Sequence, residues 1–390
     1  MSAPWPTRLC ALTAACALAV SCAPANPATS TPAPTSTSPV PTESPLPTPT
    51  DDPPQPIPSP TRAEAQPLPA ARGYSRMVYD ERSDQVLMIG GFTKMAMNAD
   101  LWDVWSLDPR TFTWRLDRQE DAFSLPYNYD CLALDSQSQK VIIYTIGWDD
   151  SGQATGVVET WAYDLATASW TQMAPATQPP ARWGSRMVYD SESDRIILFG
   201  GTDAVTYITL ADTWAYDLEA DTWVQLQTSG SITPLHFYDM AYVPGLDRVI
   251  LFGGLTSPGG DEWTLLNDTW AFDINALTWV QLQPQTSPPA RAYQTLVYDP
   301  SSGDLIQYGG ITSHANYPDE ATTDETWRYS VADNTWRQVV TAVSPGKRAW
   351  HQAVGTREGV VLFGGGSNRS DYQNDSWLFS PDLETWRRIP

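Results

Sequence analysis

The sequence predicts an all-β protein in which six four-stranded antiparallel sheets close into a ring. Three observations predict it. A pair of tryptophans nine residues apart occurs six times, as Trp105/Trp114, Trp161/Trp170, Trp214/Trp223, Trp270/Trp279, Trp327/Trp336 and Trp377/Trp386. Gly-Gly precedes the pair in five copies: Gly90-Gly91, Gly200-Gly201, Gly253-Gly254, Gly309-Gly310 and Gly364-Gly365. Each copy, recurring every 50 to 57 residues, holds four short stretches of β-branched and aromatic residues bounded by Gly, Asp, Ser or Pro. That composition is a strand signature, and a fixed period of this length marks one supersecondary unit used repeatedly. One small sheet cannot bury both of its faces, so neighbouring copies must cover each other, and a closed ring hides most strand edges.

The elements follow in order in the third copy. Residues 181–190 form the first strand and Ile196-Ile197-Leu198-Phe199 the second, which ends at Gly200-Gly201. Glycine there permits positive φ and close backbone approach; the second copy departs, with Thr145-Ile146 in register. The third strand is Asp212–Asp217 and the fourth Thr222–Leu226. An acid opens the third strand in every copy: Asp103, Glu159, Asp212, Asp268, Glu325 and Asp375. Arg72, Arg182, Arg291 and Arg348 open the first strand in four copies, with Tyr127 and Leu235 in the other two. Arginine–carboxylate pairing accounts for both sets; a cation-binding ring of carboxylates is the competing reading. The paired tryptophans are read as structural.

A hydrophobic strand ending in Gly-Gly, then an aromatic residue seven before a tryptophan, resembles the kelch repeat family. That aromatic is Tyr163, Tyr216, Phe272, Tyr329 and Phe379, with Leu107 in the first copy. The resemblance covers roughly residues 70 to 390 and implies a six-bladed kelch-type β-propeller. Its blades are expected at about 71–117, 126–173, 181–226, 234–282, 290–339 and 347–390. The fold fixes no activity.

Residues 1–21 read as a signal peptide, with the apolar run 9–20 behind Arg8 and too short to span a membrane permanently. Leu18-Ala19-Val20-Ser21-Cys22 resembles a bacterial lipobox, with Ala19 where leucine is commoner, so Cys22 is the expected lipidation site. Residues 22–70 read as a disordered Pro/Thr/Ser-rich stalk, with 16 prolines between 23 and 70 and little to bury. The expected location is the cell envelope outside the cytoplasm, lipid-anchored, with simple secretion as the alternative. Cys131 is then the one cysteine left in the ring and reads as a buried, inert thiol. A net charge of −22 repels phosphate backbones and anionic membrane surfaces, so no nucleic acid is expected and the membrane is met through the lipid alone.

Antiparallel strands throw the loop between the second and third strands, and the start of each first strand, to one pole. From the second glycine position to the acid opening strand three, that loop spans 12, 13, 11, 14, 15 and 10 residues around the ring. Variable loops on a constant scaffold are where recognition sits. The unpaired Trp102, Trp148, Trp183, Trp263 and Trp350 fall at this pole, as do His236, His314 and His351. Trp148, Trp183, Trp263, Trp350, His236, His351, Arg182 and Arg291 are therefore the candidate binding residues, for a cell-surface glycan or an extracellular or envelope protein. Packing of the loops against the ring is the competing explanation.

No catalytic residue, metal or cofactor is expected. His236, His351 and Cys131 are poorly distributed for a copper radical site resembling galactose oxidase, and no Glu-x-x-x-Asp-x-x-x-His stretch supplies iron. The enzymatic alternative is a sugar-acid epimerase or mutarotase, with His236 or His351 as acid/base and Arg182 or Arg291 on the carboxylate.

Overall fold

The computed structural model describes residues 68–94, 101–119, 131–149, 153–257, 263–313 and 320–390, apart from the side chain of Trp148. All of these fall in the unit Ala63–Pro390. The signal peptide, Cys22 and the stalk up to residue 67 lie outside the described residues, as do Tyr127, Tyr129 and His314.

Six four-stranded antiparallel sheets form, each with its strands side by side in chain order. Blade one comprises Arg76–Asp80, Gln85–Ile89, Val104–Asp108 and Thr113–Arg118, and blade two Cys131–Asp135, Lys140–Trp148, Ala154–Asp164 and Ser169–Gln172. Blade three comprises Arg186–Asp190, Arg195–Phe199, Thr213–Asp217 and Thr222–Leu226; blade four, Asp239–Val243, Arg248–Phe252, Thr269–Asp273 and Thr278–Leu282. Blade five comprises Thr295–Asp299, Asp304–Tyr308, Thr326–Ser330 and Thr335–Val339; blade six, Gln352–Thr356, Gly359–Phe363, Ser376–Ser380 and Thr385–Ile389. The first strand of each blade touches the first strand of the next, and blade six touches blade one. The result is the six-bladed propeller, with first strands innermost.

The core lies between blades. Ile197 and Phe199 of blade three pack on Tyr238, Leu251, Trp270 and Trp279 of blade four, and equivalent layers recur around the ring. The two tryptophans of a pair do different jobs. In every blade but the fourth, the first donates its indole N–H to the carboxylate two residues earlier, as Trp214 does to Asp212 at 2.7 Å. The second reaches back one blade to a hydroxyl: Trp223 to Thr160, Trp279 to Thr213 and Trp336 to Thr269, each at 3.0 Å. Trp386 does the same to Thr326 at 2.9 Å.

The seam between the last and first blades carries these same bonds. Trp114 donates to Ser376 at 2.9 Å. The Gly365 N–H donates to the Arg72 carbonyl at 2.9 Å, as the Gly201 N–H does to the Leu235 carbonyl at 2.8 Å. Backbone and side-chain contacts together close the ring, and the described residues 68–70 add no strand. The double glycine marks where this junction forms: Gly201 has φ +93°, and a Cβ on it would lie 3.0 Å from the Trp183 carbonyl oxygen.

Two features exceed the four-strand repeat. Blade two, which lacks the double glycine, continues its second and third strands into a long hairpin paired as far as Trp148 opposite Ala154. Small two-stranded sheets also top blades three to five, such as Arg182–Trp183 with Thr202–Asp203.

Candidate functional site

The loop pole is built around five residues with positive φ at the starts of first strands: Tyr74 (59°), Gly184 (71°), Phe237 (52°), Tyr293 (56°) and Trp350 (60°). Left-handed backbone is costly for aromatic residues and persists where the surroundings over-determine it. Here the determinant is a chain of inter-blade hydrogen bonds. The N–H of Phe237 donates to the Gly184 carbonyl at 2.8 Å, Tyr293 to Phe237 at 3.0 Å, Trp350 to Tyr293 at 3.2 Å and Tyr74 to Trp350 at 2.9 Å. Their side chains converge on the axis. The rings of Phe237 and Tyr293 stack at 4.1 Å, and Tyr74 stacks on Trp350 at 6.2 Å. Below them Arg76, Arg186, His351 and Gln352 line a narrow axial cavity with room for little more than a water molecule.

A buried ion pair lies against this cluster. Arg369 donates to both carboxylate oxygens of Glu320, at 2.9 and 2.7 Å, and to the Tyr74 hydroxyl at 3.0 Å. Its guanidinium sits over the rings of Trp350 and Tyr293, at 5.1 and 5.4 Å, a favourable cation–π arrangement. Neither residue belongs to the repeat pattern, so the periodicity gave no signal for them.

The candidate residues divide clearly. Trp183, Trp263, Trp350 and His236 come together in and around the aromatic cluster. The His236 ring lies between Trp183 at 5.4 Å and Trp263 at 4.6 Å, and its Nδ1 meets the Thr202 hydroxyl. His236 and Trp350 are 0% and 2% exposed, whereas Trp183 and Trp263 are half-buried at the rim. Trp148 stands in the blade-two hairpin. Of the other three, His351 lies beneath the cluster, lining the axial cavity, and the two arginines sit elsewhere.

Arg182 and Arg291 are fully buried clamps. Arg182 holds Asp212 through two bonds of 2.5 and 2.8 Å and the Gly200 carbonyl at 3.0 Å. Arg291 holds Glu325 at 2.5 Å and the Gly309 carbonyl at 3.2 Å. Arg72 pairs with Asp103, and Arg348 with Asp375, in the same way. Burial would push Asp212 up, but the Arg182 hydrogen bonds and charge hold it below the usual carboxylate range; Arg291 does the same for Glu325. The arginine and acid sets are thus the strand-to-strand pairs that the repeat demands. In blade four, where Leu235 replaces the arginine, the Trp270 indole N–H makes no such carboxylate bond.

His351 is sealed between blades five and six, where its Nε2 meets the Thr295 hydroxyl at 3.1 Å and its ring meets Tyr308 edge-on. Burial, aided by the Arg348 charge, lowers its pKa from 6.5 to about 3. The unfolded chain therefore takes up a proton below about pH 6.5 that the folded chain refuses. Stability is complete above that point and falls, by up to ~1.4 kcal/mol per pH unit, as the pH drops toward 3. Urea unfolding between about pH 7 and pH 5 is expected to show a shallower acid slope for His351→Gln than for the native chain. Equal slopes would show that His351 does not set this dependence. Cys131 is buried, its sulfur 3.4 Å from the Ser185 hydroxyl.

Among the described residues, an exposed apolar feature of the pole that the tryptophan count missed is a blade-three loop, Asp203–Ile208, beside the blade-two hairpin. Its signal was a valine, a tyrosine and an isoleucine in a loop of a repeat that needs none there.

Comparison with known proteins agrees with this architecture. A model of the KLHDC2/KLHL20/DRC7 Kelch-repeats domain matches residues 60–254 and 240–390. The chain belongs to the kelch-repeat family. It is similar to Adagio-like protein 3 of Oryza sativa subsp. japonica, 26% identical over 59% of this chain and 37% of that protein. It is also similar to Adagio protein 3 of Arabidopsis thaliana, 24% identical over 57% of this chain and 37% of the relative. Kelch domain-containing protein 10 of Rattus norvegicus is 24% identical over 60% of this chain and 56% of its own length. The chain thus spans about a third to a half of these relatives.

Proposed function

We propose that the propeller is a non-catalytic interaction module that holds a partner protein at its loop pole. In this reading a lipid on Cys22 anchors the chain and the Pro-rich segment presents the ring outside the cytoplasm. The observation that carries the choice of partner is how the pole uses its aromatic residues. His236, His351 and Trp350 are buried and Arg182 and Arg291 are clamped to carboxylates, so among the candidate residues with described side chains the half-buried Trp183 and Trp263 alone could offer a face to a sugar ring. The same commitments argue against an epimerase, whose acid/base and arginine must meet substrate. Exposed apolar side chains on the loop pole suit a protein partner.

Chemical cross-linking of intact producing cells, read by mass spectrometry, tests this with the full chain. Links to another protein are expected to concentrate on the loop pole, and the peptide beginning at Cys22 is expected to carry an acyl mass that Cys22→Ser abolishes. Links confined to the tight-turn pole would overturn the interaction face. A glycan-array signal lost on Trp183→Ala with Trp263→Ala would return the sugar reading.

A further inference from the structure

Blades two and three share a ridge that neither the fold nor the aromatic cluster explains. In blade two the outermost strand stops with Gln172 opposite Trp161, whereas the third strand runs back to Ala154. Ala154, Val158 and Glu159 therefore pair with the second strand alone, and residues 155–157 bulge out of that pairing, with Gly156 at φ +76°. Beside this edge the blade-three loop is tightly built. Tyr207 N–H donates to the Asp203 carbonyl and Asp203 N–H to the Ile208 carbonyl, both at 2.9 Å. The Asp203 carboxylate accepts from the N–H groups of Val205 and Thr206 at 3.0 and 2.7 Å.

Such a frame could have turned its apolar side chains inward, as it does Ala204. Instead it leaves Val205 63%, Tyr207 62% and Ile208 59% exposed, next to Val157 at 53% on the hairpin. Tyr207 does so from φ +59°, a left-handed conformation that a tyrosine adopts at a cost. The two elements meet: a Cβ on Gly156 would lie 3.6 Å from Val205 Cγ2. Contiguous exposed apolar groups on a rigid frame mark an interaction surface.

Charge identifies the occupant. Residues 141–181 and 196–247 contain no lysine or arginine, and Arg182, which pairs with Asp203 across the small sheet, is buried against Asp212; Asp149, Glu159 and Asp203 lie in or beside the ridge elements. We propose that this ridge docks an extended segment of a partner protein in which a large apolar side chain is flanked by lysines or arginines. The apolar group packs on Val157, Val205, Tyr207 and Ile208. The flanking cations meet the acidic border. This assignment rests on the loop pole being the interaction face and specifies where on it the partner binds.

A random-peptide phage library panned on the full chain tests it. Expected binders carry Lys or Arg around a large apolar residue. A synthetic representative should bind less tightly as salt rises and lose about tenfold or more in affinity on Tyr207→Ser with Ile208→Ser. Val157→Ser, on the other element, should weaken binding too. The melting temperature should hold in both variants, because the side chains lie in solvent. Binders unaffected by these changes but lost on Trp183→Ala with Trp263→Ala would keep the loop pole as the interaction face and overturn the ridge. Acidic binders, the absence of any binder, or a concentration-dependent dimer abolished by the Tyr207/Ile208 variant would also overturn it.

Discussion

Arg182→Met is expected to destabilise the propeller by ~3–5 kcal/mol, the cost of breaking a buried ion pair from one side. The guanidinium is wholly buried and bonds both Asp212 oxygens, the Gly200 carbonyl and, through Nε at 3.1 Å, the Pro180 carbonyl. Methionine fills part of the volume but leaves a carboxylate and two carbonyls without these donors. Much of the loss is the penalty of the stranded charge, so Asp212→Asn in the same chain should recover a substantial part of it. Urea unfolding of the two single variants and the double variant measures this directly. A single-variant loss below about 1 kcal/mol would class the clamp with ordinary surface pairs.

Trp223→Ala should cost a similar ~3–5 kcal/mol, through lost burial and the cavity left behind. The indole is 1% exposed, packed against the rings of Tyr216 at 4.9 Å and Tyr144 at 5.9 Å, and joins blade three to Thr160 of blade two. Trp223→Phe keeps much of the apolar contact and loses the hydrogen bond, so about 1 kcal/mol is expected. The neighbouring Val224 is 53% exposed, and Val224→Ala is the control that should change little. Equal damage in the phenylalanine and alanine variants would mean that the bond to Thr160, and not packing, dominates at this position.

The ring was legible because each repeated residue performs a task that every blade shares. The tryptophan spacing located strands three and four, Gly-Gly located the end of strand two, and the pairing of Arg182 with Asp212 followed from their recurrence. The pole was legible only in part. Strand direction correctly sent Trp183, Trp263 and Trp350 to one end, but it says nothing about depth. Depth depends on how far the starts of all first strands converge on the axis, which buries Trp350 under Arg369 while leaving Trp183 at the rim. The blade-two hairpin and the Asp203–Ile208 loop escaped notice because they depart from the period, and a reading built on periodicity is weakest there. The Glu320–Arg369 pair joins two loops of adjacent blades and has no counterpart among the described residues of the other repeats.

The bond from Gly365 to Arg72 and that from Trp114 to Ser376 give this chain a property that open arrays of repeats lack. A linear stack has two termini that fray and needs special units to protect them. Here every sheet has a neighbour on both flanks, so detaching any one forfeits two interfaces at once. The circle is therefore poised to melt as a whole, with no blade predisposed to peel away first.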